Sequence, residues 1–183
     1  MDTKTVVGGW TDFDFSISAD AKTVLHSITS KLEGVNYVPV AVATQLVSGT
    51  NYCFLCEATG VFPGACTSLV EIYIYRPLKG ENQLTAITPV MECHPIPGGW
   101  FGFHDVSPAE KEVLTSALNG LLGVKYDPLQ VATQVVSGMN YCFLCKATVV
   151  APSATPHPVL IRVYQPLQGK PHITSIAPIA IMH

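Results

Sequence analysis

The chain has 183 residues, 48% of them hydrophobic and 13% charged, a balance that can bury sizeable cores and excludes a disordered polymer. A formal charge of -3 with scattered Lys and Arg gives no basic footprint for nucleic acid, and no apolar run approaches the roughly 20 residues of a membrane helix, so neither partner is expected. The opening Met1-Asp2-Thr3-Lys4-Thr5 lacks the apolar core of a signal peptide, which places the chain in the cytoplasm if it is complete and outside the cell if a leader has been removed.

The first segment holds Val6-Val7-Gly8-Gly9-Trp10, followed by Phe13, Phe15 and Ile17 at alternate positions, and that period of two predicts a strand with one buried face. From Ser18 the period changes. Ala21, Val24, Leu25, Ile28 and Leu32 form a helical stripe that Ser18 can cap and that Gly34 can end. After it, Val35 to Val47, Asn51 to Val61, Leu69 to Tyr75 and Leu84 to Met91 are rich in β-branched and aromatic residues and are separated by Gly- or Pro-bearing turns. They predict four antiparallel strands joined by hairpins, the first with a bulge at Pro39.

The same series then returns. Gln45 to Cys56, QLVSGTNYCFLC, recurs as QVVSGMNYCFLC from Gln134 to Cys145, an offset of 89 residues that also relates Tyr37 to Tyr126, Pro39 to Pro128 and Pro77 to Pro166. Only the start slips, with Gly8-Gly9-Trp10 returning one residue late as Gly98-Gly99-Trp100. The second helix is signalled more strongly, because Ser107-Pro108-Ala109-Glu110 combines an N-cap serine, a first-turn proline and the glutamate of a capping box, ahead of an apolar face at Val113, Leu114, Ala117 and Leu121. So long a period predicts two complete domains, 1–93 and 94–183, rather than units of an array. Strand, helix and four strands in each predict an α+β fold, a five-stranded antiparallel sheet wrapped round one helix, twice.

Function is expected at the turns. Ser48-Gly49-Thr50 and Ser137-Gly138-Met139 make one hairpin tip in each copy, and Arg76-Pro77-Leu78-Lys79-Gly80 and Gln165-Pro166-Leu167-Gln168-Gly169 make the other. Both tips and the entry of the first strand fall at one end of the sheet. The residues Val6-Val7-Gly8-Gly9, then Gln45-Leu46-Val47-Ser48-Gly49, then Pro77-Leu78 resemble, in that order, the cystatin family of cysteine-protease inhibitors, whose pattern is an N-terminal glycine, a Gln-x-Val-x-Gly first hairpin and a Pro-Trp second hairpin. The second copy repeats the pentapeptide as Gln134-Val135-Val136-Ser137-Gly138, with Pro166-Leu167 as its second hairpin.

The resemblance implies a wedge. The trunk and both tips would enter the cleft of a papain-like cysteine protease and inhibit it competitively and reversibly, with Val47 and Val136 as apolar contacts, Gly49 and Gly138 allowing close approach, and Gln45 and Gln134 bracing the hairpins. Leu78 and Leu167 stand where secreted members carry tryptophan, and the second trunk, Pro97-Gly98-Gly99, is tethered behind the first domain, so the first domain is expected to inhibit better. The alternative is a cystatin-like binding or structural module that does not inhibit.

Cys53-x-x-Cys56 and Cys142-x-x-Cys145 have the spacing of a zinc site, but residues three apart on a strand point to opposite faces and cannot share an ion. They are expected as buried thiols, with no metal and no cofactor. Cys66 and Cys93 lie symmetrically about the Lys79-Gly80 turn, and the resemblance implies a disulfide across such a hairpin in secreted members, whereas a reducing cell would leave both as thiols. The six histidines and the paired acids form no catalytic spacing, so an enzyme is not expected.

Overall fold

The computed structural model describes residues 8–182. Helix α1 (Ala19–Thr29) starts where Ser18 Oγ accepts a hydrogen bond from the Ala21 N–H, and it buries Ala21, Val24, Leu25 and Ile28. Four strands follow: β1 (Val35–Val47), β2 (Gly49–Gly60), β3 (Thr67–Arg76) and β4 (Gln83–Met91), paired antiparallel in that order. The series then repeats as β5 (Trp100–His104), α2 (Pro108–Ala117), β6 (Val124–Val136), β7 (Gly138–Val149), β8 (His157–Gln165) and β9 (His172–Pro178), with strand order β5-β6-β7-β8-β9.

Two compact units result. Unit 1 runs to Met91 and takes in Ile181 and Met182, and unit 2 is Glu92–Ala180. In unit 1, α1 packs with Val42, Tyr52, Phe54, Cys56, Ile72 and Ile74. In unit 2, Leu114 of α2 packs with Val131, Phe143, Cys145, Val159 and Ile161. The intervening residues of the central strands, Cys53 and Leu55 in β2 and Cys142 and Leu144 in β7, are also buried, so both faces of these strands lie out of water. That explains their unbroken apolar run, Tyr-Cys-Phe-Leu-Cys, in place of an alternating one. The bulges fall where the prolines predict, with register shifts between Pro39 and Ala41 and between Pro128 and Gln130. The capping box of α2 forms in full.

The expected α+β class with a five-stranded sheet in each copy is corrected. The described residues are mostly β: their strands account for 50% of the chain and their two short helices for 12%, and their sheets have four and five strands. The missing strand is the one predicted at the start of unit 1. Of its described residues only Trp10 and Asp14 make bridges, to Gln45 and Val42. Thr11 shows why the ladder does not extend, because its Oγ1 takes the Thr44 N–H that a ladder carbonyl would otherwise accept. In unit 2 that position is Phe101, which pairs with Thr133 as part of β5.

Both helices also end earlier than their apolar stripes. In unit 2 the chain turns at Gly120, whose φ of +89° no helix contains, and Leu121 and Leu122 therefore lie exposed beyond α2. Leu121 does not join the apolar face predicted for it.

Candidate functional site

In unit 1, three segments meet at the β1–β2 end of the sheet. Gly49 opens β2 with a φ of +102°, and a Cβ there would run into the Arg76 carbonyl oxygen and stand 3.2 Å from the Pro77 Cα. Only glycine lets the first hairpin lie this close to the second. The Tyr75 hydroxyl, reaching from the end of β3, donates to the Ser48 carbonyl at 2.5 Å and holds the tip from beneath. Gln45 Nε2 donates to the Gly8 carbonyl at 2.8 Å, while Gln45 Oε1 accepts from Asn51 Nδ2 at 2.8 Å across the β1–β2 ladder. Gln45 thus joins the hairpin to the segment entering the fold, and Asn51 fixes the orientation of Gln45.

Unit 2 repeats each tie. Gln134 Nε2 donates to the Gly98 carbonyl at 3.0 Å, Asn140 Nδ2 donates to Gln134 Oε1 at 2.9 Å, and the Tyr164 hydroxyl donates to the Ser137 carbonyl at 2.5 Å. Gly138 has a φ of +105°, and a Cβ on it would meet the Gln165 carbonyl oxygen. The two edges share one wiring.

The apolar residues left at these edges face water. Leu46, Val47, Val135 and Val136 are exposed along the hairpin arms, and Leu78 and Leu167 are each 79% exposed at the second tips. Ser48 and Ser137 are exposed, Gly49 and Gly138 are buried beneath them, and Pro77 and Pro166 are half-buried. Gly8 is exposed and Gly9 half-buried, while Val6 and Val7 lie outside the described residues. The structure therefore gathers the described site residues of each copy at one end of its own sheet. Such preformed, water-facing apolar tips can insert into a concave partner with little loss of conformational freedom.

Sequence reasoning missed the residues that hold this arrangement: Asn51 and Tyr75, and their counterparts Asn140 and Tyr164. A signal was present, since both pairs recur unchanged at the offset of 89.

The cysteines divide as the strand geometry requires. Cys56 and Cys145 join the helix-facing cores, Cys53 and Cys142 point the other way, and all four are free thiols. Burial pushes Cys56 and Cys145 each up to about 12 and Cys142 up to about 11, and it pushes Cys53 up as well, so these thiols stay protonated at neutral pH. Cys66 and Cys93 are disulfide-bonded and, with the other four free, bond each other at the open end of the β3–β4 hairpin. Among the described residues no three His, Cys, Asp or Glu side chains are grouped to hold a metal ion, and no helix is long and apolar enough to cross a membrane.

One buried acid stands apart from the edge. Glu71 is 4% exposed in the middle of β3 and accepts from Cys53 Sγ at 3.3 Å. Burial raises its carboxyl above the ordinary value, against the opposing pull of hydrogen bonds from Cys53 and Tyr73. Unit 2 has Leu160 at this place.

The sequence matches no protein-family model and no curated protein.

Proposed function

We propose that the protein is a reversible, competitive inhibitor of papain-like cysteine proteases, and that each unit carries one inhibitory edge. The observation that supports this most is the wiring found in both copies: a Gly-bearing entry segment, a first hairpin tip and a second hairpin tip, joined by the same Gln, Asn and Tyr hydrogen bonds, with exposed apolar residues on both hairpins. A protease active-site cleft is concave and partly apolar, and a row of rigid loops can fill it without placing a peptide bond in position for attack. Glycines at the tips keep the backbone narrow, and the leucines at the second tips supply apolar area where an aromatic ring would supply more.

Steady-state inhibition of papain by the intact protein, compared with its Gly49→Glu and Gly138→Glu variants, tests the reading. Each substitution forces a side chain against the carbonyl of the neighbouring hairpin and should abolish the edge that carries it, a loss of about 100-fold or more in that edge's affinity. Inhibition that neither variant changes, alone or combined, would place the contact elsewhere on the molecule.

A further inference from the structure

The ties shared by the two edges hold the first hairpin and the entry segment. The second hairpin tip is held differently in each unit, and the difference starts at one position of the repeat, Arg76 in unit 1 and Gln165 in unit 2. Arg76 reaches the helix. Its Nη1 donates to Asp20 Oδ2 at 2.9 Å, in the first turn of α1. At the far end of the same tip Asn82 Nδ2 donates to Ser27 Oγ, also on α1, at 2.9 Å. The second tip of unit 1 is thus slung from its helix by both ends.

Unit 2 has the residues for neither tie. The counterparts of Asp20 and Asn82 are Ala109 and Pro171, which carry no side-chain carboxylate and no side-chain amide. There Gln165, the last residue of β8, spans its own tip instead. Its Nε2 donates to the Pro166 carbonyl at 3.2 Å and to the Gly169 carbonyl at 3.0 Å. The two hydrogens of one amide therefore join both ends of the loop Pro166-Leu167-Gln168-Gly169. The ring of Pro166 fixes a further backbone angle at its start. Leu167 stands between the two bonded carbonyls and is 79% exposed.

We infer that Gln165 is a positioning residue of unit 2, one that acts through Leu167 by closing the second tip on itself. The inference rests on the inhibitory reading above and goes beyond it by giving the two units different second tips, one hung from a helix and one braced from within. A tip without its brace must find the closed form in order to dock, and the apparent affinity falls by the fraction of time it spends closed. That loss falls on association. A contact removed from between two surfaces is felt mainly in dissociation, so the two roles are separable.

The test uses the full chain with Gly49→Glu, so that papain inhibition reports unit 2. On that background Gln165→Met, of similar length but without a donor, should raise the inhibition constant about 10-fold, chiefly through slower association. Amide exchange at Leu167 and Gly169 should quicken, and the denaturation midpoint should stay where it is. Gln165→Glu keeps the shape but turns a carboxylate toward the two carbonyls, so its loss should be the larger. An inhibition constant that neither variant moves overturns the inference. A loss carried by dissociation alone, with exchange at the tip unchanged, would make Gln165 a contact and overturns it as well. So does a lowered midpoint with unchanged exchange at the tip, which would make the role merely structural. A Gly49→Glu chain that fails to inhibit, while Gly138→Glu still does, overturns it and leaves the inhibitory reading standing for unit 1. Failure of both overturns both.

Discussion

At the edges of the two units Gln45, Asn51, Tyr75 and Gly49 stand where Gln134, Asn140, Tyr164 and Gly138 stand, with the same hydrogen bonds at nearly the same lengths. On the sheet face turned away from the helix the copies part. Unit 1 places Glu71 and Tyr73 beside Cys53, with Trp10 edge-on to Tyr73 at 6.0 Å and the Met182 N–H donating to the Tyr73 hydroxyl at 2.7 Å. Unit 2 has Leu160 and Arg162 at those positions, and Trp100 lies over the Arg162 guanidinium at 5.7 Å. A fold tolerates different solutions on such a face as long as each polar group finds a partner. The edge has kept one solution in both copies, which is expected if a contact outside the chain depends on it.

The largest effect that sharpens this contrast is expected at the disulfide, which only unit 1's hairpin carries, since Thr155 takes the place of Cys66 in the second copy. Cys66→Ser should cost about 3 kcal/mol for a loop of this length, measured as a lower denaturation midpoint under non-reducing conditions. Addition of a reductant should move the parent protein to the same midpoint and leave the variant where it is. A parent midpoint indifferent to reductant would remove the bond from the account.

Next comes the buried acid. A carboxyl whose folded pKa lies above its unfolded value contributes stability that is complete below the unfolded value, about 4.3, and is lost as pH rises through the folded value. Glu71 is such a group, so unit 1 should weaken from mildly acidic pH toward neutrality. Unit 2 carries the opposite case in Glu110. Burial works to raise its carboxyl, but the Ser107 N–H at 3.0 Å and His104 at 2.8 Å outweigh that and lower it, so its contribution is present above the unfolded value and lost as pH falls through the folded one. Replacing Glu71 with the leucine of the other copy should stabilise the protein by about 1–2 kcal/mol at pH 7 and flatten the loss on the way there, as denaturant midpoints at pH 4 and pH 7 would show. A variant less stable than the parent at pH 7 would mean that the Cys53 and Tyr73 hydrogen bonds outweigh the burial.

The smallest effect is expected at the shared wiring. Tyr75→Phe removes one solvent-facing hydrogen bond from the tip and should cost about 1 kcal/mol or less in stability. Amide exchange at Val47 and Gly49 should nevertheless quicken and papain inhibition by unit 1 weaken several-fold. Equal exchange rates in parent and variant would show that the tip is held by the hairpin alone.

Much of this was legible in the sequence where local chemistry decides it. The bounds of β1, the bulges at Pro39 and Pro128 and the capping box at Ser107 follow from residues close together in the chain. The outcome at Thr11 was not legible, because its hydroxyl competes for the N–H of a residue 33 positions away. The repeated pentapeptide located the edges, yet Tyr75 and Tyr164 read as ordinary strand residues until the hairpins were brought together. For Cys66 and Cys93 the spacing about a turn allowed a bond, and only the β3–β4 register, with Leu69 opposite Met91, brings their flanks together.

The central claim is that two edges of one design each engage a protease, and a titration of active-site-quantified papain with the intact protein tests it most directly. Complete inhibition at two papain molecules per chain, falling to one per chain with either Gly49→Glu or Gly138→Glu, is the result predicted. Full papain activity at micromolar concentrations of the protein, across papain and a panel of its relatives, would contradict it.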